Sequence, residues 1–550
     1  MKKNRLHPRL LQLAAISVTV ATVICFPHPV VHGQAAPSTS PTIPPYAVCS
    51  GNINVASLLP GGAHEDPDVA AANAFITLRE STLLQQVAQS SALDQYHMIT
   101  LLGETEIYDV NLSPAKNIAC ATCHVPYTGF RGSSSVFNAT TASQPGGTAV
   151  TNATPPAPNY RFSARNPQTY AYAPYSGILH YNATQASFYG GNFWDMRATG
   201  IRLTNPAAEQ AEGPPLNPVE MGDIDSACVV WKASQSEYAS LITAIWGAQS
   251  FAIHWPGNIA AICAKPGPAP ATDPFPVHLS PIDRGTSDST FDHMAMAMAS
   301  YESSSGVSAF SSKFDAYLAG NAQLSGQELA GYELFNGKAR CNQCHLSGTA
   351  ANSPAMVETA ADVAPLFSDF TANNIGLPKN LALPYYCESK PDQYGYTANP
   401  MGFAFIDLGV GGFLNNTGAA PNPNTLQWKQ LAPLFNGTFQ TATLRNVDLR
   451  PRPNFVKEYM HNGYLKSLKE VVHFYNTSQA LPRCAQGSKG EKVTCWPEPE
   501  YPATLNTTQL GNLGLTSDEE DDIVAFLKTL TDGFTTVSTD SAASIIQKKH

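Results

Sequence analysis

The sequence has few charged residues and no cluster of positive charge. Charged side chains make up 13% of the 550 residues, the formal net charge is -10, and no run of Lys or Arg stands out. A protein that binds nucleic acid through its phosphates typically carries a basic patch or stripe. The composition therefore argues against nucleic acid as a partner.

Long apolar runs are also scarce. Basic residues between positions 2 and 9 precede the sixteen residues LLQLAAISVTVATVIC, small residues follow around Gly33, and no comparable run occurs later. The run is too short to span a membrane comfortably, and the whole pattern is typical of a secretory signal peptide. We predict a signal peptide at residues 1–35, export to the periplasm and no membrane span in the mature protein. An uncleaved N-terminal anchor is the alternative.

Cysteine is limited to 11 residues. Cys25 falls in the predicted signal peptide, and four others form two Cys-x-x-Cys-His motifs, ACATCH and RCNQCH. The remaining six are Cys49, Cys228, Cys263, Cys387, Cys484 and Cys495. An exported protein meets an oxidising compartment, so up to three disulfides are expected. Cys484 with Cys495 and Cys228 with Cys263 are candidate pairs, although the sequence alone does not fix the connectivity.

Each Cys-x-x-Cys-His motif carries the residues needed for covalent haem attachment. The two sets are Cys120, Cys123 and His124, and Cys341, Cys344 and His345. In such motifs the thiols bond the haem and the adjacent His binds its iron. A zinc ribbon fits less well because the two pairs lie far apart and a His follows each of them. Neither pair lies in the strand and helix context of a thioredoxin-like site. We therefore predict two covalently bound haem c groups.

Helical patterns surround both motifs. Ser325 is placed to cap a helix that leads into the second motif. Near the C-terminus, Ser517 and Glu520 have the spacing of a capping box, and an apolar stripe follows them in DIVAFLKTL. These patterns predict a mainly α fold with two tandem cytochrome c-like haem domains that carry long loops and insertions.

With these features the sequence resembles the di-haem bacterial cytochrome c peroxidase and MauG superfamily. The strings that carry the resemblance are ACATCH, SARNPQTY, NFWDMRA, AEQAEGPPLNPVEMG, GKARCNQCH, ATLRNV, YMHNG and SLKEVVHFYN. The resemblance implies an N-terminal peroxidatic haem domain at 95–318, with an insertion at about 223–290, and a C-terminal electron-transfer haem domain at 319–535, with an insertion at about 346–425. Residues 36–94 would then be an N-terminal extension and 536–550 a tail.

The resemblance also implies roles for individual residues. It assigns the peroxide site to the haem on His124, with Glu220 as the distal acid and Gln210 beside it. A carboxyl group there can move a proton between the two oxygens of peroxide. Trp194 matches the tryptophan that the family places between the haems. Without the resemblance, Glu220 would be interpreted as a surface carboxylate and Trp194 as a core residue.

The remaining iron ligands are left open by the sequence. The second haem iron needs a further ligand, for which Tyr475 in SLKEVVHFYN is one candidate. Ordinary family peroxidases have Met at this position, and MauG-like members have Tyr. Met460 in YMHNG is the competing candidate. The stretch APNYRFSARNPQTY lacks the histidine that closes the first iron in many members. Either a remote residue such as His180 closes it or the iron is open, which we favour. Whether the protein binds the interdomain Ca²⁺ of the family also stays open, because Tyr172 occupies the position where the family has Asn.

Three functions are compatible with these features. The first is a periplasmic di-haem peroxidase that reduces hydrogen peroxide with electrons from a small redox protein, such as a cytochrome c or a cupredoxin. The second is a MauG-like oxidase that uses peroxide to oxidise a protein or an organic substrate. The third is a non-catalytic di-haem electron-transfer cytochrome. The sequence does not fix the oligomeric state.

Overall fold

The structure, a computed structural model, describes residues 66–140, 161–348, 364–416 and 425–535. The predicted signal peptide and C-terminal tail, together with Cys25 and Cys49, lie outside the described residues. All described residues belong to one unit, Ile43–His550.

Helices dominate the described part of the chain and confirm the mainly α prediction. They are α1 (Pro67–Val87), α2 (Gln95–Tyr108), α3 (Cys120–Cys123), α4 (Ser135–Thr140), α5 (Pro206–Ala211), α6 (Gly213–Leu216), α7 (Ser226–Ser234), α8 (Ala239–Trp246), α9 (Ile259–Cys263), α10 (Pro281–Ser303), α11 (Lys313–Leu318), α12 (Gly326–Asn336), α13 (Gly409–Asn415), α14 (Thr425–Phe435), α15 (Leu468–Thr477) and α16 (Ser517–Lys528). Within the described ranges, the strands form two short antiparallel pairs. They are β1 (His180–Asn182) with β2 (Ser187–Tyr189), and β3 (Ala372–Asn373) with β4 (Phe439–Gln440).

Two helix pairs cross in the same way, one before and one after residue 318. The helix that precedes each Cys-x-x-Cys-His motif packs on a later helix, α2 on α10 and α12 on α16. A glycine lies at each crossing because the backbones approach too closely for a side chain. A Cβ on Gly103 would lie 1.9 Å from the carbonyl oxygen of Ala297, and one on Gly331 would lie 1.9 Å from that of Asp522. The chain thus uses one packing device twice.

Each of these crossings belongs to its own apolar core. The first core is built around α2 and α10 and includes Leu102, Phe291 and Met298. Helix α1, which lies in the predicted N-terminal extension, adds Ile76 and Leu83 to it. The second core is built around α12, α15 and α16 and includes the buried side chains of Phe335, Val472, Phe474, Ile523, Phe526 and Leu527. The apolar stripe predicted near the C-terminus therefore faces this core.

The helix caps agree with the sequence except at one position. Ser325 caps α12, as predicted, and Ser467 caps α15. The predicted capping box of Ser517 and Glu520 is wrong by one residue, since Thr516 caps α16 and forms the box with Glu519. Both pairs satisfy the same Ser/Thr-x-x-Glu spacing, so the local sequence does not choose between them.

Two disulfides confirm the candidate pairs. Cys228 bonds Cys263 with a sulfur separation of 2.06 Å, and Cys484 bonds Cys495 at 2.20 Å. Cys387 is also disulfide-bonded. The first disulfide lies in the predicted insertion at 223–290, where it joins α7 to α9. Across the described ranges, we find no helix with the length and apolar character of a membrane span.

Candidate active site

The first Cys-x-x-Cys-His motif forms one turn of helix followed by the histidine that is predicted to bind iron. Helix α3 runs from Cys120 to Cys123, and His124 donates its backbone N–H to the carbonyl of Cys120 at 3.0 Å. Residues three apart on a helix lie on the same face. Both thiols are free of disulfide bonds, so the motif presents two unpaired thiols next to an imidazole.

A backbone carbonyl holds the ring of His124 in place. The Nδ1 atom lies 3.0 Å from the carbonyl oxygen of Phe130, so the ring donates its proton there and leaves Nε2 free to bind a metal. Burial lowers the pKa of His124 to about 4, which keeps the ring in the neutral form that binds iron. Phe130 has a left-handed backbone, with φ of 58°, which turns its carbonyl toward the ring.

The second motif repeats this arrangement. His345 Nδ1 lies 2.9 Å from the carbonyl oxygen of Phe367, and Phe367 also has a positive φ, 51°. Cys341 and Cys344 are free thiols. Burial lowers the pKa of His345 to about 4. In both halves of the chain, therefore, a phenylalanine carbonyl orients the imidazole of the predicted iron ligand.

A cavity of about 560 Å³ lies beside the first motif. Six predicted site residues line it: Cys120, Cys123, His124, Trp194, Gln210 and Glu220. The unpaired thiols, the oriented imidazole and the adjoining space together fit a covalently attached haem. Among the described residues that line this cavity, His124 is the only histidine. His180, the remote candidate, lies on β1 and is not part of the lining.

Glu220 faces this cavity from a turn that follows α6. Its backbone N–H donates to the carbonyl of Asn217 at 2.9 Å, and the Asn217 amide nitrogen donates to Glu220 Oε1 at 2.5 Å. Burial raises the pKa of the Glu220 carboxyl, whereas the positive charge of Arg197 and the Asn217 hydrogen bond act in the opposite direction. The turn thus holds a carboxyl group of raised pKa in the cavity wall.

Gln210 reaches the same cavity from α5. Asn205 caps this helix, and its side-chain oxygen accepts hydrogen bonds from the backbone N–H groups of Ala207 and Ala208 at 2.9 and 3.2 Å. The cap fixes the start of a helix only six residues long, and Gln210 lies in its last turn. The amide group of Gln210 is therefore a second polar group on the wall that carries Glu220.

Trp194 lies where the segment before α5 meets the segment before α15. Its indole N–H donates to the carbonyl of Asn166 at 2.9 Å, and its ring centroid lies 6.5 Å from that of His461. The side-chain amide of Asn166 in turn donates to the Met460 carbonyl at 3.1 Å. The tryptophan thus lines the cavity of the first motif while it contacts the chain that carries Met460.

Both candidate ligands for the second iron lie near the second motif. Tyr475 and Met460 pack against the same apolar core as Cys341. Burial raises the pKa of Tyr475 above its usual value, and the Cys344 and Cys341 thiols raise it further. The structure brings the two candidates together without excluding either of them.

Tyr172, which occupies the position where the family has a calcium-site Asn, is engaged in other hydrogen bonds. The Tyr172 side chain is buried, its hydroxyl donates to Asp532 Oδ2 at 2.6 Å, and the Phe310 N–H donates to the hydroxyl at 3.0 Å. Calcium binds six to eight oxygen ligands. A tyrosine that already bonds a carboxylate and a backbone N–H does not fit such a ligand set.

The sequence interpretation missed several residues of the cavity. Glu302, on α10, is 3% exposed, and its Oε2 atom has no hydrogen-bond partner among the described residues. Burial raises its pKa well above the usual value. Glu302 follows Met298 by four residues and so lies on the same helix face, and this spacing was the sequence signal that could have placed Glu302 beside the cavity. Tyr385, Tyr396 and Phe405 also line the cavity, although they come from the predicted insertion at 346–425.

Comparison with known proteins agrees with this geometry. The family model for di-haem cytochrome c peroxidase matches residues 98–323. The methylamine utilization protein MauG of Paracoccus denitrificans is 27% identical over 437 residues, which cover 79% of this chain and 88% of MauG. The cytochrome-c peroxidase IdrP1 of Denitromonas iodatirespirans is 28% identical over 239 residues, 42% of this chain and 48% of IdrP1.

A solved structure shares the fold. The diheme peroxidase BthA of Burkholderia thailandensis matches with a TM-score of 0.54 and 24% sequence identity, over 79% of this chain and 86% of BthA. The chain is thus an oxidoreductase whose residues 98–323 match the di-haem cytochrome c peroxidase family and which is similar to MauG over most of its length.

Proposed function

We propose that this protein is a periplasmic peroxidase that reduces hydrogen peroxide to water with electrons from a small redox protein. The observation that carries the proposal is the convergence of His124, Glu220 and Gln210 on one cavity. The relatives named as cytochrome-c peroxidases support the same reaction. The predicted signal peptide supports export.

The chain offers two sites for covalently bound haem c. Cys120, Cys123 and His124 would hold the first, and Cys341, Cys344 and His345 the second. When bound, the haems supply the redox chemistry, which is the transfer of two electrons to hydrogen peroxide. Everything else in the reaction is left to side chains of this protein.

Glu220 is the residue best placed to move a proton. Breaking the bond between the two peroxide oxygens is easier when the departing oxygen leaves as water. Glu220 would take the proton from one oxygen and deliver it to the other, while the Gln210 amide orients the substrate. With two further protons and two electrons, one hydrogen peroxide gives two water molecules. The raised pKa of Glu220 favours a carboxyl group that can hold the proton in transit.

Replacing Glu220 tests this role. Glu220→Gln keeps the size and the Asn217 contact but removes the exchangeable proton, and general acid–base catalysis typically contributes about 10²- to 10⁴-fold. We expect kcat/KM for hydrogen peroxide to fall within that range when a reduced donor protein supplies electrons. Glu237→Gln, at an exposed carboxylate outside the cavity, is the matched control and should leave the rate unchanged. Equal rates in both variants would contradict the assignment, and absence of peroxide turnover in all three proteins would favour a non-catalytic electron-transfer cytochrome.

A MauG-like oxidase is the second candidate, favoured by two observations. Tyr475 packs against the same apolar core as Cys341, and the described lining of the cavity has no histidine other than His124. Both features agree with an open first iron and a tyrosine-ligated second iron. An electron paramagnetic resonance spectrum of the ferric protein should then show one high-spin and one low-spin signal. Two low-spin signals would contradict the open site.

Turnover separates the peroxidase from the oxidase. A peroxidase consumes hydrogen peroxide continuously while a small reduced donor is present. An oxidase of the MauG type instead gives a long-lived oxidised state that small donors do not quench. The measurement is therefore peroxide consumption with a reduced cytochrome c and with a reduced cupredoxin, followed until the donor is exhausted.

We also propose two tandem haem domains, at about 95–318 and 319–535. The supporting observation is the repeated construction of the two halves. Each half has a helix crossing made close by a glycine, Gly103 or Gly331. Each half also has an imidazole oriented by a phenylalanine carbonyl, that of Phe130 or Phe367. The N-terminal half would carry the peroxide site and the C-terminal half the relay.

A further inference from the structure

Part of the predicted second insertion lies over the cavity of the first motif. We call residues 385–407 the cover segment. It follows the second Cys-x-x-Cys-His motif in the chain, yet five of its residues line the cavity that contains His124. They are Tyr385, Tyr396, Ala398, Phe405 and Asp407. The C-terminal half of the sequence therefore builds one wall of a site whose chemistry belongs to the N-terminal half.

The beginning of the cover segment is fixed to residues near 161. Arg161 Nε donates to Asp392 Oδ2 at 2.7 Å, and its guanidinium carbon lies 4.6 Å from the ring centroid of Tyr396. The backbone N–H of Phe162 donates to both carboxylate oxygens of Glu388, at 2.9 and 3.1 Å. Arg161 and Asp392 are 3% and 12% exposed at their side chains, so water does not compete strongly for this pair.

The end of the cover segment is fixed by a second arginine. Arg165 donates two parallel hydrogen bonds to Asp407, at 2.6 and 2.7 Å. A third bond of 2.7 Å joins Arg165 to Asp195, the residue after Trp194. Bidentate arginine–carboxylate pairs fix geometry as well as charge. The cover segment is thus tied at both ends to residues 161–165, and Arg165 also connects its end to the residue after Trp194.

Aromatic contacts and a buried amide stiffen the segment between these ties. The rings of Tyr385 and Phe405 meet edge to face, with centroids 5.2 Å apart. The side-chain amide of Asn399, which is fully buried, donates to the carbonyl of Tyr385 at 3.1 Å. Widening the cavity on this side would require these contacts and the arginine pairs to separate together.

We propose that the cover segment is the size filter of the cavity, with Tyr385, Tyr396 and Phe405 as the residues that determine specificity. It admits small oxidants such as hydrogen peroxide and excludes hydroperoxides that carry a bulky organic group. The proposal rests on the proposed function in taking this cavity as the peroxide site. Its physical basis is a wall of large rings that side-chain rotation alone does not move aside.

Two variants widen the cavity in different places. Tyr396→Ala removes the ring beside Arg161, and the double variant Tyr385→Ala with Phe405→Ala removes the edge-to-face pair. Tyr394→Ala is the matched control, because this tyrosine belongs to the same segment but is 46% exposed and does not line the cavity. All proteins are prepared with both haems bound.

The first measurement is binding of ligands to the ferric protein, which does not depend on turnover. We expect 4-phenylimidazole to bind at least tenfold more tightly to the widened variants than to the wild type, while cyanide affinity changes by less than threefold. The second measurement is the ratio of kcat/KM for hydrogen peroxide to that for cumene hydroperoxide. This ratio should fall at least tenfold in the widened variants and stay constant in Tyr394→Ala.

The outcomes separate the two proposals. Unchanged 4-phenylimidazole affinity in the widened variants overturns the size filter, whatever the peroxide kinetics. Absence of peroxide turnover in the wild type overturns the proposed function, while the ligand affinities still decide on the filter. If the double variant does not incorporate haem, Tyr396→Ala and the milder Phe405→Leu decide by the same two measurements.

Discussion

Lys457 offers a direct test of how the two halves are joined. Its side chain is 2% exposed, and its Nζ donates to the carbonyl oxygens of Thr128 at 2.8 Å, Asn446 at 3.3 Å and Leu449 at 2.8 Å. Burial lowers the pKa of Lys457, but three acceptors require three N–H donors, which only the ammonium form supplies. The side chain thus connects the loop after His124 to residues of the C-terminal half.

Lys457→Met removes these three bonds and keeps most of the volume. A buried carbonyl without a partner costs about 1–3 kcal/mol. The Asn446 carbonyl still accepts the Leu449 N–H at 3.0 Å, so two carbonyls lose their partner. We use the lower value for each of these two, because methionine also relieves the cost of burying a charge. The expected loss is about 2 kcal/mol in the free energy of unfolding. Thr128 is tied to the loop that orients His124, so amide exchange at Gly129 and Phe130 should also become faster.

Urea unfolding of the protein with both haems bound measures the first effect. Lys338→Met is the matched control, because Lys338 forms an ion pair with Glu519 while 43% of its side chain is exposed, and such pairs contribute about 0–1 kcal/mol. If Lys457→Met loses no more stability than Lys338→Met, and amide exchange at Phe130 is unchanged, the assigned role of Lys457 is wrong.

Three further predictions concern acid stability, helix packing and the second iron. Burial alone would raise the pKa of Asp407, but its arginine partner lowers it to about 2. Since this folded value lies below the usual carboxyl pKa, the ionised Asp407 stabilises the folded protein above about pH 4, and this stabilisation is lost as the pH falls toward 2. Asp407→Asn should therefore lower the unfolding free energy at pH 7 by about 2 kcal/mol. Gly331→Ala places a methyl group against the Asp522 carbonyl and should lower the unfolding free energy by about 1–3 kcal/mol, the usual cost of overpacking. Tyr475→Phe should change the low-spin electron paramagnetic resonance signal, and Met460→Leu should leave it unchanged.

Each of these has its own check. The Asp407→Asn protein should show a flatter dependence of unfolding free energy on pH between 4 and 2 than the wild type does; parallel curves would contradict the prediction. For Gly331→Ala, an exposed glycine such as Gly326, with no atom near its added Cβ, gives the control substitution Gly326→Ala. A changed low-spin signal in Met460→Leu together with an unchanged one in Tyr475→Phe would make Met460 the ligand.

Local chemistry made much of the site predictable. The predicted haem-attachment motifs keep all their functional atoms within five residues, and the capping serines of α12 and α15 act within one turn. Glu220 and Gln210 were placed by family resemblance rather than by any local rule. The structure brings both to the cavity of His124, which gives the resemblance a geometric basis.

Long-range contacts explain what the sequence did not reveal. Arg161 and Asp392 lie 231 positions apart, and no periodicity or spacing relates them. The cover segment has little regular secondary structure, so its residues gave no pattern that pointed to the cavity. The wrong capping box predicted for α16 has a different origin. The pairs Thr516 with Glu519 and Ser517 with Glu520 both satisfy the capping rule, and only the backbone of the folded chain selects Thr516.

The origin of the cover segment has a consequence for dissecting the protein. The family match ends at residue 323, yet one wall of the cavity comes from residues 385–407. A fragment that stops at the end of the match would retain His124 and Glu220 but expose their cavity to solvent on one side. Transplanting the N-terminal half into another protein would therefore transfer the proposed catalytic groups without the enclosure that they have here.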